Sequence, residues 1–237
     1  MRSILFLVTV FSLKKRRPFV STPIVIYGLI ALNFAIYLYE ASLDSSALQQ
    51  FLDLWAMVPK QLTLELAGSR LSAAPEWPTL LTFQFLHAGW FHLAGNLVCL
   101  WLFGHRIEAH WGHVVFLSFY VLCGGLAGLS QWMVEPSSLL PTLGASGAVA
   151  GIMGAYVVRF PQAKVALFFV GLWFVQQVFY VALSWDSTGL SNIGLGDTVD
   201  MTPVNIAYAA HAGGFIVGVT FSWVTNFLAE SRQHYVK

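Results

Sequence analysis

Charge is scarce in this sequence. Of 237 residues only 10% are Asp, Glu, Lys or Arg, where a soluble domain carries about 25%. The net charge is +1, with no basic stripe interleaved with aromatics, which excludes a nucleic-acid-binding module. There are two cysteines, Cys99 and Cys123, both inside apolar runs; they read as small buried hydrophobes and exclude a disulfide framework or a CxxC metal site. There is no tandem repeat and no low-complexity tract. No Gly-x-Ser-x-Gly follows a strand pattern, which excludes a soluble α/β hydrolase. The last three apolar segments hold no carboxylate at the depth of their polar residues, against a small transporter or channel.

What is abundant is apolar surface: 57% of residues are hydrophobic and the mean hydropathy is +0.68. A water-soluble fold of this length has no interior large enough to hide that much, so the expected class is an all-α polytopic membrane protein. Six apolar segments fall at about 23–41, 90–105, 113–134, 146–160, 164–185 and 203–228. They divide the chain into an arm (1–22), a six-helix bundle (23–228) and a tail (229–237). The arm has an apolar stretch, residues 3–13, too short to span a bilayer. The tetrad Lys14-Lys15-Arg16-Arg17 follows it rather than precedes it, so it reads as an interfacial arm and not as a cleaved signal. The linker at about 42–89 carries Trp55, Trp77 and scattered leucines and is expected to lie partly in the membrane interface. With the N-terminus inside, ten Lys and Arg residues fall on the inner side and only Lys60 and Arg70 on the outer. That places both termini in the cytoplasm of a cell whose inner membrane holds the protein.

One segment is short. Ser146 to Phe160 makes roughly 22 Å of helix, about 8 Å less than the hydrocarbon thickness. If its lower end lies at the inner surface, Ser146 lies below the outer one. The irregular chain that leads to it must then dip into the protein beside a water-accessible pit. The stretch GASGAVAGIMG, residues 144–154, holds four glycines around that serine. Gly147, Gly151 and Gly154 form a smooth helix face with Ser146 at its top. On the last segment, Thr202-Pro203 is a good helix start, and His211 shares a face with Gly214 and Gly218. Docking two such small-residue faces brings the His211 imidazole near the Ser146 hydroxyl. On the second segment, His92 and Asn96 lie four apart on one face; with the Ser146 N–H they are placed to surround a developing oxyanion.

Each of these residues alone has a bland reading: the serine as packing glue, His211 as a helix-to-helix hydrogen bond, His92 with Asn96 as structure. Their co-occurrence at matching depth favours a site. His87 reads as loop packing. His105, His110 and His113 read as interfacial, without the ligand set of a zinc site, and Glu108 is expected to pair locally with a base such as Arg106. No metal and no cofactor is expected.

The motifs HLAGN (92–96), GASGA (144–148) and AHAGG (210–214), with the order of the segments between them, resemble the rhomboid intramembrane serine proteases in their bacterial six-span form. The resemblance covers about residues 23–228. It implies Ser146 as nucleophile, His211 as its general base, and His92, Asn96 and the Ser146 N–H as oxyanion donors. Two positions depart from the pattern. EWPTLL has Trp77 without the arginine that often follows, which bears on anchoring of the first loop. Ala150 stands where some members have a tyrosine beneath the histidine, so support for His211 is expected from elsewhere. The expected activity is a Ser-His dyad endopeptidase acting on transmembrane segments of other membrane proteins, with the Gly- and Ser-rich loop 186–202 as a mobile cap. The alternative is a catalytically silent relative that binds transmembrane helices.

Overall fold

The computed structural model describes residues 22–69, 75–185 and 207–235. Among them the chain is helical throughout, and the only β contact is an isolated antiparallel bridge between Met57 and Thr142. Helix α1 spans Ile24–Ser42. Three short helices occupy the long linker. The first is α2 (Ser45–Trp55), capped by the Asp44 carboxylate accepting the Ala47 N–H at 2.9 Å. Then come α3 (Pro59–Leu66), with Pro at its first position, and α4 (Thr79–Thr82), which tightens into a 3-10 turn over Phe83–Phe85. The long helices α5 (Trp90–Trp111), α6 (His113–Val134), α7 (Ser146–Arg159), α8 (Lys164–Trp185) and α9 (Tyr208–Tyr235) complete the fold.

By length and composition α1 and α6 are each able to cross a bilayer alone, and the Thr79–Phe85 piece forms with α5 a pair bent by 96°. Helix α7 is 14 residues long, about 21 Å, and every residue from Gly147 to Tyr156 is buried. A helix apolar on all sides belongs at the centre, and α7 packs against α5, α6 and α9. Lipid-facing side chains such as Leu122 and Phe179 lie on the outside of the bundle.

Small residues allow the close packing around α7. A Cβ added to Gly218 would lie 1.9 Å from the Gly151 carbonyl oxygen, and one on Gly214 would lie 2.1 Å from that of Gly147. From the α7 side, a Cβ on Gly154 would meet the Phe215 oxygen at 2.3 Å. One on Gly151 would meet Cys123 Sγ at 2.1 Å, and one on Gly147 the Ala127 Cβ at 2.6 Å. The α7–α9 seam is therefore backbone against backbone, while α6 covers the adjoining face of α7.

Two boundaries and the identity of the base beside Glu108 differ from the sequence expectation. Helix α5 does not stop near residue 105 but continues to Trp111, because Glu108 is fully buried rather than marking a solvated end. Its carboxylate accepts the N–H groups of Val25 and Ile26, each at 3.0 Å, and meets His113 Nδ1 at 2.5 Å. It thus caps α1, whose first N–H groups have no acceptor within their own helix. Glu108 pairs with a local base, as expected, but the base is His113; Arg106 donates to the Tyr156 hydroxyl at 3.0 Å. Helix α9 spans Tyr208–Tyr235 and so extends into the segment read as a tail. The cap loop 186–202, the Thr202-Pro203 start and the arm up to residue 21 lie outside the described residues.

Candidate active site

Ser146 is the first residue of α7, and its placement begins in the chain before it. Met57 and Thr142 exchange two backbone hydrogen bonds, of 3.1 and 2.7 Å, which tie the long linker to the approach to the serine. The Gly144 N–H then donates to the Phe83 carbonyl at 2.9 Å. Gly144 has φ +120°, a conformation other residues adopt only under strain. Because it turns the chain there, α7 starts inside the protein, with its first N–H groups free of intrahelical acceptors.

His211 lies in the first turn of α9, its N–H bonded to the Ala207 carbonyl at 3.1 Å. The preceding N–H, of Ala210, is taken by Gln131 Oε1 of α6 at 3.3 Å, which satisfies another orphan donor of that helix start. The seam between α7 and α9 brings His211 Nε2 to 2.6 Å from Ser146 Oγ, across 65 residues of chain. The other ring nitrogen, Nδ1, is 2.8 Å from Gln177 Oε1 on α8. The Trp173 ring, one turn earlier on α8, lies 5.7 Å from the imidazole, centroid to centroid. The aromatic neighbour that Ala150 does not supply thus comes from a different helix. Among the described residues the groups bonded to the His211 ring are neutral, a serine and an amide.

His92 stands on the far side of Gly144. A Cβ on that glycine would sit 2.8 Å from His92 Nε2 and 3.6 Å from Ser146 Oγ, so the missing side chain is what lets His92 lie this close to the backbone leading into the serine. Asn96 is buried, and its amide donates to the His92 carbonyl at 2.9 Å, a bond within α5. The His92 ring also packs edge-on against His87 at 5.3 Å, and the His87 backbone N–H is held by the buried Glu40 carboxylate of α1 at 3.2 Å. Ser146, His211 and His92 therefore converge around Gly144, with Asn96 one turn below His92. No group of three or more His, Cys, Asp or Glu side chains able to hold a metal occurs among the described residues.

Sequence reasoning does not single out Gln177 or Trp173. The signal is present, however: Gln176-Gln177 is an adjacent pair of amides inside an otherwise apolar 22-residue helix, and polar groups at such depth need a partner.

The fold and the site define a class: a polytopic helical membrane protein in which two glycine-faced helices bring a serine and a histidine into contact below one end of the bundle. Residues 74–226 match the Rhomboid domain. The chain is 27% identical over 220 residues to rhomboid protein 1, mitochondrial, of Saccharomyces cerevisiae, covering 88% of this chain and 55% of that one. It is 32% identical over 168 residues to rhomboid-like protein 11, chloroplastic, of Arabidopsis thaliana, covering 69% and 58%. It is also 32% identical over 149 residues to the rhomboid protease GluP of Bacillus subtilis, covering 62% and 26%. The chain belongs to the rhomboid family. It spans little more than half the length of the first two of these relatives.

Proposed function

We propose that this chain is an intramembrane serine endopeptidase. The observation that carries the reading is the 2.6 Å approach of His211 Nε2 to Ser146 Oγ, hydrogen-bonding distance for a nucleophile and its base. Ser146 Oγ attacks the carbonyl carbon of a peptide bond while its proton passes to His211 Nε2. The carbonyl oxygen takes the negative charge. When the intermediate collapses, the C–N bond breaks, His211 gives its proton to the leaving amine, and the acyl group stays on Ser146 as an ester. Water, deprotonated by the same imidazole, attacks the ester, and the carboxylate product leaves as Oγ regains its proton.

The developing oxyanion takes its hydrogen bonds from His92 Nε2 and from the Ser146 N–H at the start of α7; Asn96 completes the donor set. A donor in such a site contributes about 3 kcal/mol to the barrier. The mechanism uses neither metal nor cofactor. The substrate is a transmembrane segment of another membrane protein, since the site lies at the end of a helix too short to reach the surface. Such a segment must unwind before its backbone is open to attack, so cleavage falls near the end of its helix, at small or helix-weakening residues. The charge asymmetry along the chain orients both termini to the cytoplasm, with the site toward the outer leaflet.

Covalent labelling by a fluorophosphonate probe tests this reading. Purified protein in detergent is expected to label, with labelling lost in Ser146→Ala and reduced at least about 100-fold in His211→Ala. Cleavage of a labelled single-span substrate should follow the same pattern. Binding of that substrate without cleavage, and labelling indifferent to both substitutions, would establish the silent helix-binding alternative instead.

A further inference from the structure

A neutral imidazole has two tautomers, and only one serves a dyad. To accept the Ser146 proton, His211 must keep Nε2 bare and carry its own hydrogen on Nδ1. In a site without a carboxylate on Nδ1, something else has to make that choice. We infer that Gln177 does so, as a positioning residue that holds His211 in the Nδ1–H tautomer through its side-chain oxygen. This inference rests on the dyad reading above and adds to it a third member on a third helix.

An amide oxygen only accepts, so a 2.8 Å contact between Gln177 Oε1 and His211 Nδ1 requires the hydrogen to be on Nδ1. Which end of an amide faces a neighbour is decided by its other contacts. Here Gln177 Nε2 donates to the Trp173 carbonyl, one turn back on α8, at 3.3 Å. Turning the amide over would set an oxygen against that carbonyl and an N–H₂ against the imidazole. The intrahelical bond therefore holds the acceptor toward His211.

Gln177 is 3% exposed, and an unpaired amide at that depth is costly, so both of its ends are committed. Trp173 and Gln177 lie four residues apart on one face of α8. One covers a face of the imidazole and the other engages its edge, so rotation of the ring about its Cβ–Cγ bond is opposed from two directions. Ser146 then finds a fixed acceptor rather than a ring that samples two tautomers and two orientations.

The test separates this role from packing. Gln177→Met keeps the length and shape of the side chain, removes the acceptor and suits an apolar helix; Gln177→Glu keeps an acceptor at the same place. Gln177→Met is expected to melt no lower than wild type yet to lose about 30- to 100-fold in fluorophosphonate labelling rate, with substrate KM unchanged. Gln177→Glu is expected to recover most of that loss. A purely structural role predicts the reverse order, with the apolar variant intact and the charged one damaged.

A second readout needs no activity. Nitrogen-15 spectra of histidine-labelled wild-type protein, with the His211 signals identified by their loss in His211→Ala, should show a protonated Nδ1 and a bare Nε2; Gln177→Met should populate both tautomers. A wild-type His211 protonated on Nε2, or Gln177→Met labelling at the wild-type rate, would overturn the inference. Failure of wild-type protein to label at all counts against the protease reading instead, and the spectra still report on Gln177.

Discussion

Substituting alanine for Gly218 should disable the site from two turns away. Gly218 lies seven residues beyond His211, on the face of α9 that meets α7. The added Cβ would lie 1.9 Å from the Gly151 oxygen, 2.7 Å from its carbonyl carbon and 2.8 Å from its Cα. All three atoms are backbone of a buried helix, so no side chain can swing away. Restoring ordinary contact requires the helices to part by roughly 1.5 Å at that level. The Ser146–His211 bond, at 2.6 Å, tolerates about 0.6 Å of lengthening before it leaves the useful range. Even partial transmission of the wedge therefore breaks it, and a misplacement of about 1 Å costs on the order of 100-fold in rate. Overpacking of this kind also destabilises by about 1–3 kcal/mol, and a rigid obstruction belongs at the upper end. Fluorophosphonate labelling and thermal unfolding in detergent measure the two effects. Gly171→Ala is the control: a Cβ there meets nothing within 4 Å, so labelling should be unchanged. Wild-type labelling and melting in Gly218→Ala would refute the claim that the seam positions the dyad.

Two further perturbations probe the scaffold. Glu108→Ala leaves the Val25 and Ile26 N–H groups and the His113 ring without their shared buried acceptor, and should cost about 3 kcal/mol of stability. Labelling of the protein that remains folded should be normal, and an unchanged melting temperature would contradict the assignment of Glu108 as the cap of α1. In the linker, Glu76 is buried; burial pushes its carboxyl above the usual glutamate range, a shift partly opposed by the Val58 N–H and the Thr79 hydroxyl and reinforced by Glu65. The folded state thus holds this proton more tightly than the unfolded chain does. The resulting stability is full below the ordinary glutamate range and is lost as pH rises through the raised value. Glu76→Gln should flatten that slope, as read from exchange of the Val58 amide across pH; parallel curves for the two proteins would rule out Glu76 as its source.

The elements that carry the site are the ones most legible in the sequence, for a physical reason. In a chain this apolar, Ser146, His211, His92 and Asn96 stand out because polar groups at membrane depth need a purpose. The glycines at 147, 151, 154, 214 and 218 stand out because they recur at helical spacing on one face of each helix, the pattern that lets two helices approach closely. The short length of α7 follows from Arg159 and Pro161. Contacts that join distant segments are harder to read. Glu108 does meet a local base, His113, yet its other hydrogen bonds reach back more than 80 residues to α1, and nothing in the intervening pattern encodes that docking. Gln177 is visible as a polar residue, but its partner depends on how α8 lies against α9.

That the serine and the histidine belong to different helices also bears on biosynthesis. His211 follows Ser146 by 65 residues, so at 5–20 residues per second a ribosome takes about 3 to 13 seconds to travel from one to the other. During that interval the nascent chain carries an alcohol with no base beside it. The two groups meet only when α9 docks against α7, and under the proposed mechanism a product terminated before that helix is inert toward the translocation machinery around it.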